Sequence, residues 1–246
     1  MVERNVVLTI EYDGTDFSGW QRQSLRPSIQ AEIERAVQAV IREDVNLIGA
    51  GRTDAGVHAL GQVANFHATS RIATDRFPPA LNAHLPDAIR ILSAREGPPG
   101  FHSRYAATGR TYRYAVLNRP APSPILRAHT YHVPAALDLE AMQEGAALLL
   151  GTHPFASFRG VGSGERTTVC TVRRADVARA GDTVLFTFEA DRFLRHMVRL
   201  IVGTLLRVGR AKLPSETMAE ILAAQDNRKA GPRAPAHGLF LVRVSY

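Results

Sequence analysis

Cysteine and lysine are nearly missing from this 246-residue chain. The single cysteine, Cys170, rules out an intramolecular disulfide and any C-x-x-C pair, and its setting in TTVCTVRR marks it as a small buried hydrophobe rather than a reactive thiol. Only two of the 30 basic side chains, Lys212 and Lys229, are lysines, which leaves 28 arginines. No apolar run approaches the roughly 18 residues of a membrane span, and the run in MVERNVVLTIEYDG is far too short for a secretory signal. The expectation is therefore a cytoplasmic protein with no membrane partner. There is no GxxxxGK[ST] and no strand-GxGxxG-helix context, so the familiar phosphate cradles are absent. The nine histidines are scattered rather than set at metal-ligand spacing.

What is present is a basic, globular composition. With 45% hydrophobic and 22% charged residues the chain can bury a substantial core, as one large domain or two small ones. A formal charge of +7 and a pI near 10.1 point to a polyanionic partner. Arginine suits phosphate because its planar fork donates two hydrogen bonds at once and its face stacks on bases. Genomic base composition produces the same arginine skew, so charge alone leaves the partner open.

The most informative stretch is Gly49 to Ala59, GAGRTDAGVHA, between apolar runs at Val45 to Ile48 and Gln62 to His67. Three glycines, Gly49, Gly51 and Gly56, predict a bent loop that presents side chains. Asp54 is the carboxylate it presents, and Arg52, two residues earlier, is close enough to pair with it or steer it. An adjacent guanidinium favours the ionised carboxylate, and an ionised aspartate can act as a nucleophile. The same residue in such a loop also serves as an Asx-turn or a helix cap, and residue types alone leave both readings standing.

Periodicity predicts two similar halves. In the first, Val6 to Tyr12 alternates as a strand, and Ser28 is placed to cap a helix with Ile29, Ile33, Val37, Val40 and Ile41 on one face. Two strands flank the Asp54 loop, a helix within Asp75 to His84 has Pro78 and Pro79 in its opening turn, and a strand follows at Ala88 to Ala94. The order is βαββαβ. After the Gly97 to Gly100 linker comes a strand at Thr111 to Leu117, with Tyr112, Tyr114 and Val116 on one face. Then follow a helix capped by Asp138 and running through Leu150, and a hairpin of Val169 to Ala178 and Thr183 to Ala190 turning at Gly181-Asp182. A helix from Arg192 to Val208 burying Phe193, a shorter one from Ser215 and a last strand at Leu239 to Val244 complete βαββα(α)β. This predicts an α/β (α+β) chain of two halves, residues 1–98 with the aspartate loop and 99–246, in which tandem split βαβ units build a mixed sheet and a cleft.

GRTDAGVHALGQV resembles the signature of the tRNA pseudouridine synthase I (TruA-like) family. Five further blocks resemble that family in its order: EYDGTDFSGWQRQ, LNAHLP, FHSRYAATGRTYRY, FLRHMVR and GLFLVRVSY. Departures are few. Asp191 and Arg192 stand where small or uncharged residues are usual, and Ala236 interrupts APPHG. The resemblance implies the pseudouridine synthase fold, one extended sheet with a basic central groove, and isomerisation of uridine to pseudouridine at positions 38, 39 and 40 of the tRNA anticodon stem-loop. It assigns Asp54 as the nucleophile, Tyr112 as the ring that stacks on the target base, and Arg199 as the arginine paired with the aspartate. Arg52 would share that countercharge. Attack at ribose C1′ or at uracil C6 stays open. The chemistry requires no metal or redox cofactor, and the H-x-E with P-C-x-x-C signature of zinc deaminases is missing. A homodimer holding one tRNA is also implied, although the sequence itself carries no dimer signature.

Each assigned residue has a plainer reading. Tyr112 at period two also fits a core strand position, Arg199 a solvated helix face, and His58 and His196 suit either RNA phosphates or satisfied structural sites. Arg22, Arg76, Arg104, Arg110 and Arg113 are candidates for phosphate contacts or ordinary surface charges. A noncatalytic RNA-binding protein of tandem RRM-like modules is the alternative from another class, and its RNP aromatic pattern is not found here. A nucleoside hydrolase would need a second carboxylate, and none stands out.

Overall fold

The computed structural model describes residues 3–162 and 167–246. They fall into two compact units, Met1–Thr108 with Leu241–Tyr246, and Gly109–Phe240. The division lies beyond the Gly97 to Gly100 linker, and the last six residues return to the first unit.

In the first unit the order is β1 (Arg4–Tyr12), α1 (Ile29–Ile41), β2 (Ile48–Gly49), β3 (His58–Ala68), α2 (Phe77–Asn82) and β4 (Ile89–Glu96). That is the βαββαβ order the periodicity predicts. β1 is central and antiparallel to both neighbours, with Leu8 opposite Ala64 of β3 and Ala94 of β4. β10 (Leu239–Ser245) follows β3 in the strand order and belongs to this unit from Leu241 onward. Val6, Leu8, Ile10 and Tyr12 are buried on one face of β1, whereas on the other Val7 is buried, Thr9 is half-buried and Glu11 is exposed. Ile29, Ile33, Ala36 and Val37 form the buried stripe of α1.

Three local expectations change. Ser28 sits at the N-cap of α1, yet its side chain makes no cap hydrogen bond and its hydroxyl is buried without a partner. β2 has two residues rather than four, because helix side chains take the backbone of Leu47. Glu34 Oε1 accepts the Leu47 amide at 3.0 Å and Gln30 Nε2 donates to the Leu47 carbonyl at 3.1 Å. β3 begins at His58, four residues before Gln62, since Ala59 still pairs with Tyr12 of β1.

The second unit runs β5 (Gly109–Leu117), β6 (Tyr131–His132), α3 (Leu139–Ala147), β7 (Gly151–Pro154), β8 (Val169–Ala180), β9 (Thr183–Ala190), α4 (Met197–Gly209) and α5 (Thr217–Ala224). Its strand order is β5-β9-β8-β7, with β6 parallel to β5. The hairpin turns at Gly181-Asp182 as predicted, with Gly181 at φ 59. Asp138 caps α3, its Oδ1 accepting the Ala141 amide at 3.0 Å. Cys170 is buried. β6 and β7 are additions that no periodicity marks, being two and four residues long.

The correction that matters for function is the start of α4. It begins at Met197, five residues after Arg192, because His196 adopts φ 61 and the Arg195 carbonyl accepts the Gly160 amide at 2.8 Å. Phe193 is therefore in a loop and half-buried instead of on the apolar face of the helix.

Candidate active site

Asp54 stands in the loop Ala50 to Val57, between β2 and β3, and its shape is imposed by the segment that links β1 to α1. The Trp20 amide donates to the Thr53 carbonyl at 3.0 Å, and the hydroxyls of Tyr12 and Thr53 are hydrogen-bonded at 2.7 Å, buried. Gly19 lies so close that a Cβ there would be 2.6 Å from the Thr53 carbonyl oxygen, and its φ of 96 suits glycine. Gly14 approaches Val57 in the same way, and a Cβ there would be 2.0 Å from the Val57 carbonyl oxygen. β3 contributes as well, Val63 O accepting the Ala50 amide and Gln62 Nε2 donating to Gly51 O, both at 2.8 Å.

The turn after Asp54 closes through its backbone, the Val57 amide donating to the Asp54 carbonyl at 3.2 Å with Gly56 at φ 75. An Asx-turn would need the Gly56 amide for the Asp54 carboxylate, and that amide donates to the Phe17 carbonyl instead, at 3.4 Å. Asp54 itself is half-buried. Arg52 is exposed and makes no hydrogen bond or ion pair among the described residues. His58 is buried, its Nδ1 accepting the Gly14 amide at 3.1 Å, with Asp13 Oδ1 also 3.1 Å away. It buttresses the loop from below.

Tyr12, Gly14, Gly19, Trp20 and Thr53 are the residues that sequence reasoning did not single out. All but Thr53 lie in an aromatic and glycine-rich stretch with no period of its own, EYDGTDFSGW, which is what a segment wrapped around another loop looks like.

The second unit holds Tyr112 and Arg199. Tyr112 lies on β5 opposite Phe188 of β9, half-buried, its ring in an edge-to-face pair with Phe193, centroids 5.2 Å apart at 85°. Two residues on, Tyr114 is fully buried and donates its hydroxyl to Pro235 O at 2.8 Å. Burial pushes the Tyr114 phenol well above the usual tyrosine range, so it stays a neutral donor. Period two thus separates a core tyrosine from one at the end of the buried face.

Arg199 is 8% exposed, in the first turn of α4, and its Nε donates to Ala234 O at 2.8 Å. The Ala234 amide returns a 3.0 Å bond to the Arg199 carbonyl. A cation near a helix N-terminus opposes the helix dipole and burial removes its water, so its bonded partners must offset both costs. Arg195 is exposed and donates to Val161 O and Gly162 O, as a surface residue does.

Of the remaining arginines, Arg22 pairs with Glu34 at 2.7 Å, Arg110 donates to Asp191 O at 2.8 Å, and Arg76, Arg104 and Arg113 are exposed. Asp191 has a local structural use, its Oδ1 accepting the amides of Thr171 and Arg192, each at 2.8 Å. Its charge beside Arg192 is therefore partly spent on the strand end. No helix of the described residues is long and apolar enough to cross a membrane.

Comparison with known proteins gives the context of these loops. The sequence profile of the tRNA pseudouridine synthase family matches residues 8–106 and 146–246. A protein of Acetivibrio thermocellus named tRNA pseudouridine synthase A is 49% identical over 243 residues, covering 99% of this chain and 100% of its own length. The protein of that name from Thermoanaerobacter pseudethanolicus is 42% identical over 243 residues, with the same coverage. A Clostridium tetani protein, tRNA pseudouridine synthase A 2, is 45% identical over 245 residues, covering 99% of each chain. With a profile that takes in both the Asp54 loop and the Arg199 helix, and relatives matched from end to end, the chain belongs to the tRNA pseudouridine synthase family.

Proposed function

We propose that this protein isomerises uridine to pseudouridine in the anticodon stem-loop of tRNA, at positions 38, 39 and 40. The observation that carries the reading is a match at 49% identity over 99% of the chain to a tRNA pseudouridine synthase A, with Asp54 in a loop fixed from both sides. A noncatalytic RNA-binding role is not favoured by those relatives.

Asp54 is the nucleophile. Its carboxylate bonds to the target nucleoside at ribose C1′ or uracil C6 and the N-glycosidic bond breaks; the uracil turns, C5 bonds to C1′, the bond to Asp54 breaks to restore the carboxylate, the C5 proton leaves and N1 takes up a proton. Tyr112 stacks on the freed base, a role supported by its half-open ring braced on edge by Phe193. Arg199, with Arg52, supplies the countercharge for the aspartate as it reacts.

A uridine paired in a stem must be flipped out before it can react, at a cost of a few kcal/mol. Contacts from the exposed arginines to the RNA backbone offset that cost. The reading extends to a homodimer acting in the cytoplasm. The test is to incubate purified protein with an unmodified tRNA transcript and map pseudouridine by base-resolved sequencing. Pseudouridine at 38, 39 or 40 is the expected result, and a transcript left unmodified, or modified elsewhere, contradicts it.

A further inference from the structure

Outside the loop of Asp54, the first unit presents a second feature directed at solvent, the turn His102 to Ala106. Tyr105 is 77% exposed, an unusual setting for a ring this large in a chain with only six tyrosines. Its environment is basic rather than apolar. His102 stacks beside it at 4.3 Å and 30°, the guanidinium of Arg104 sits 5.8 Å from the ring centre, and Arg95 covers the neighbouring Phe101 at 5.1 Å.

The turn is rigidly anchored although its side chains are open. The His102 carbonyl accepts the amides of Tyr105 at 3.1 Å and Ala106 at 2.9 Å, and His102 Nδ1 accepts the Arg104 amide at 3.2 Å. Ser103, between them, is fully buried. Its amide donates to Asn65 Oδ1 at 2.9 Å, its carbonyl accepts the Tyr246 hydroxyl at 2.9 Å, and its hydroxyl donates to the carbonyl of Ile48. Ile48 is the first residue of β2, the strand that feeds the Asp54 loop. Arg104 and Tyr105 are thus held on the same strand pair as the proposed nucleophile.

We propose that Tyr105 and Arg104 form a preformed stacking platform for an unpaired nucleobase of the RNA substrate, with Arg104 contacting the adjoining phosphate. The chemistry favours RNA. An exposed ring beside a guanidinium suits a π-face joined to a negative backbone, whereas a protein-docking tyrosine sits within an apolar patch. Anchoring of the turn in the free protein lowers the ordering cost of binding. The proposal rests on the tRNA-modifying reading above.

The test measures binding of an unmodified tRNA transcript and its conversion by the full-length protein and by Tyr105→Ala, Tyr105→Leu, Tyr105→Phe and Arg104→Ala. Tyr105→Ala and Tyr105→Leu should weaken binding by about tenfold, whereas Tyr105→Phe, which keeps the ring, should stay within about twofold. The salt dependence of affinity should be unchanged in the tyrosine variants and fall by about one in slope for Arg104→Ala. Turnover at saturating tRNA should match wild type in the three tyrosine variants. Wild-type affinity for Tyr105→Ala, beside a wild-type enzyme that makes pseudouridine, overturns the platform and leaves the function standing. A wild-type protein that makes no pseudouridine while Tyr105→Ala still loses RNA affinity overturns the function and keeps the platform. A change in oligomeric state without loss of RNA affinity would make Tyr105 a subunit contact and also overturn the platform.

Discussion

The hydroxyls of Tyr12 and Thr53 share a buried 2.7 Å hydrogen bond, one residue ahead of Asp54 in the chain. Since the Trp20 amide also holds the Thr53 carbonyl, both the side chain and the backbone of Thr53 are fixed by the segment after β1. The direction in which Asp54 leaves the loop is set by these two bonds.

Breaking the pair should therefore cost both stability and rate. Thr53→Val leaves the Tyr12 hydroxyl buried without this partner, at about 1–3 kcal/mol. Adding Tyr12→Phe removes that hydroxyl as well, so the double variant should lose less than the sum of the single ones. Denaturant unfolding gives the stability, and single-turnover conversion of tRNA gives the rate. Thr53→Ser should recover most of both, and tRNA affinity should barely change in any variant.

The glycines of the site are not equivalent. Gly19→Ala places a methyl against the Thr53 carbonyl at a φ of 96 and should destabilise by about 1–3 kcal/mol while slowing catalysis. Gly51→Ala meets nothing within 4 Å and should stay within about 0.5 kcal/mol. Thermal melts of the two variants side by side check this contrast. Equal losses would mean that close approach does not govern the loop.

Much of this architecture could be read in the sequence, because alternation along Val6 to Tyr12 and the stripe Ile29, Ile33, Val37 follow from burial on one face or stripe. Elements fixed by side chains far away in sequence could not. Glu34 and Gln30 shorten β2 by taking the Leu47 backbone, and Gly160 takes the Arg195 carbonyl where a helix would otherwise have begun. The glycine-rich loop was legible from Gly49, Gly51 and Gly56. Its clamp, Tyr12, Gly19 and Trp20 closing on Thr53, was not, since no local period encodes one loop wrapping another.

For Tyr112 the two substitutions separate ring from hydroxyl. Tyr112→Phe keeps the ring and its edge contact with Phe193, so binding of the flipped base should persist and conversion should fall only as far as the hydroxyl takes part. Tyr112→Ala should lose about tenfold or more in conversion. Wild-type conversion by both variants would return Tyr112 to a strand residue without a role in chemistry.

Arg199→Ala should reduce the single-turnover rate more than tRNA affinity, because a buried cation at 8% exposure is poorly placed to meet phosphate in the free protein. Arg199→Lys keeps the charge but not the planar fork that reaches Ala234 O, and should fall between wild type and alanine. A large affinity loss at an unchanged rate would instead make Arg199 an RNA contact.

The most direct measurement is pseudouridine formation in an unmodified tRNA transcript by Asp54→Asn. The substitution is nearly isosteric, and the turn it sits in closes through the Asp54 carbonyl, which asparagine retains. Folding by circular dichroism and tRNA binding should stay close to wild type, while product falls below detection because the nucleophile is gone. Near-normal pseudouridine at positions 38 to 40 from the folded variant would contradict the assignment of Asp54.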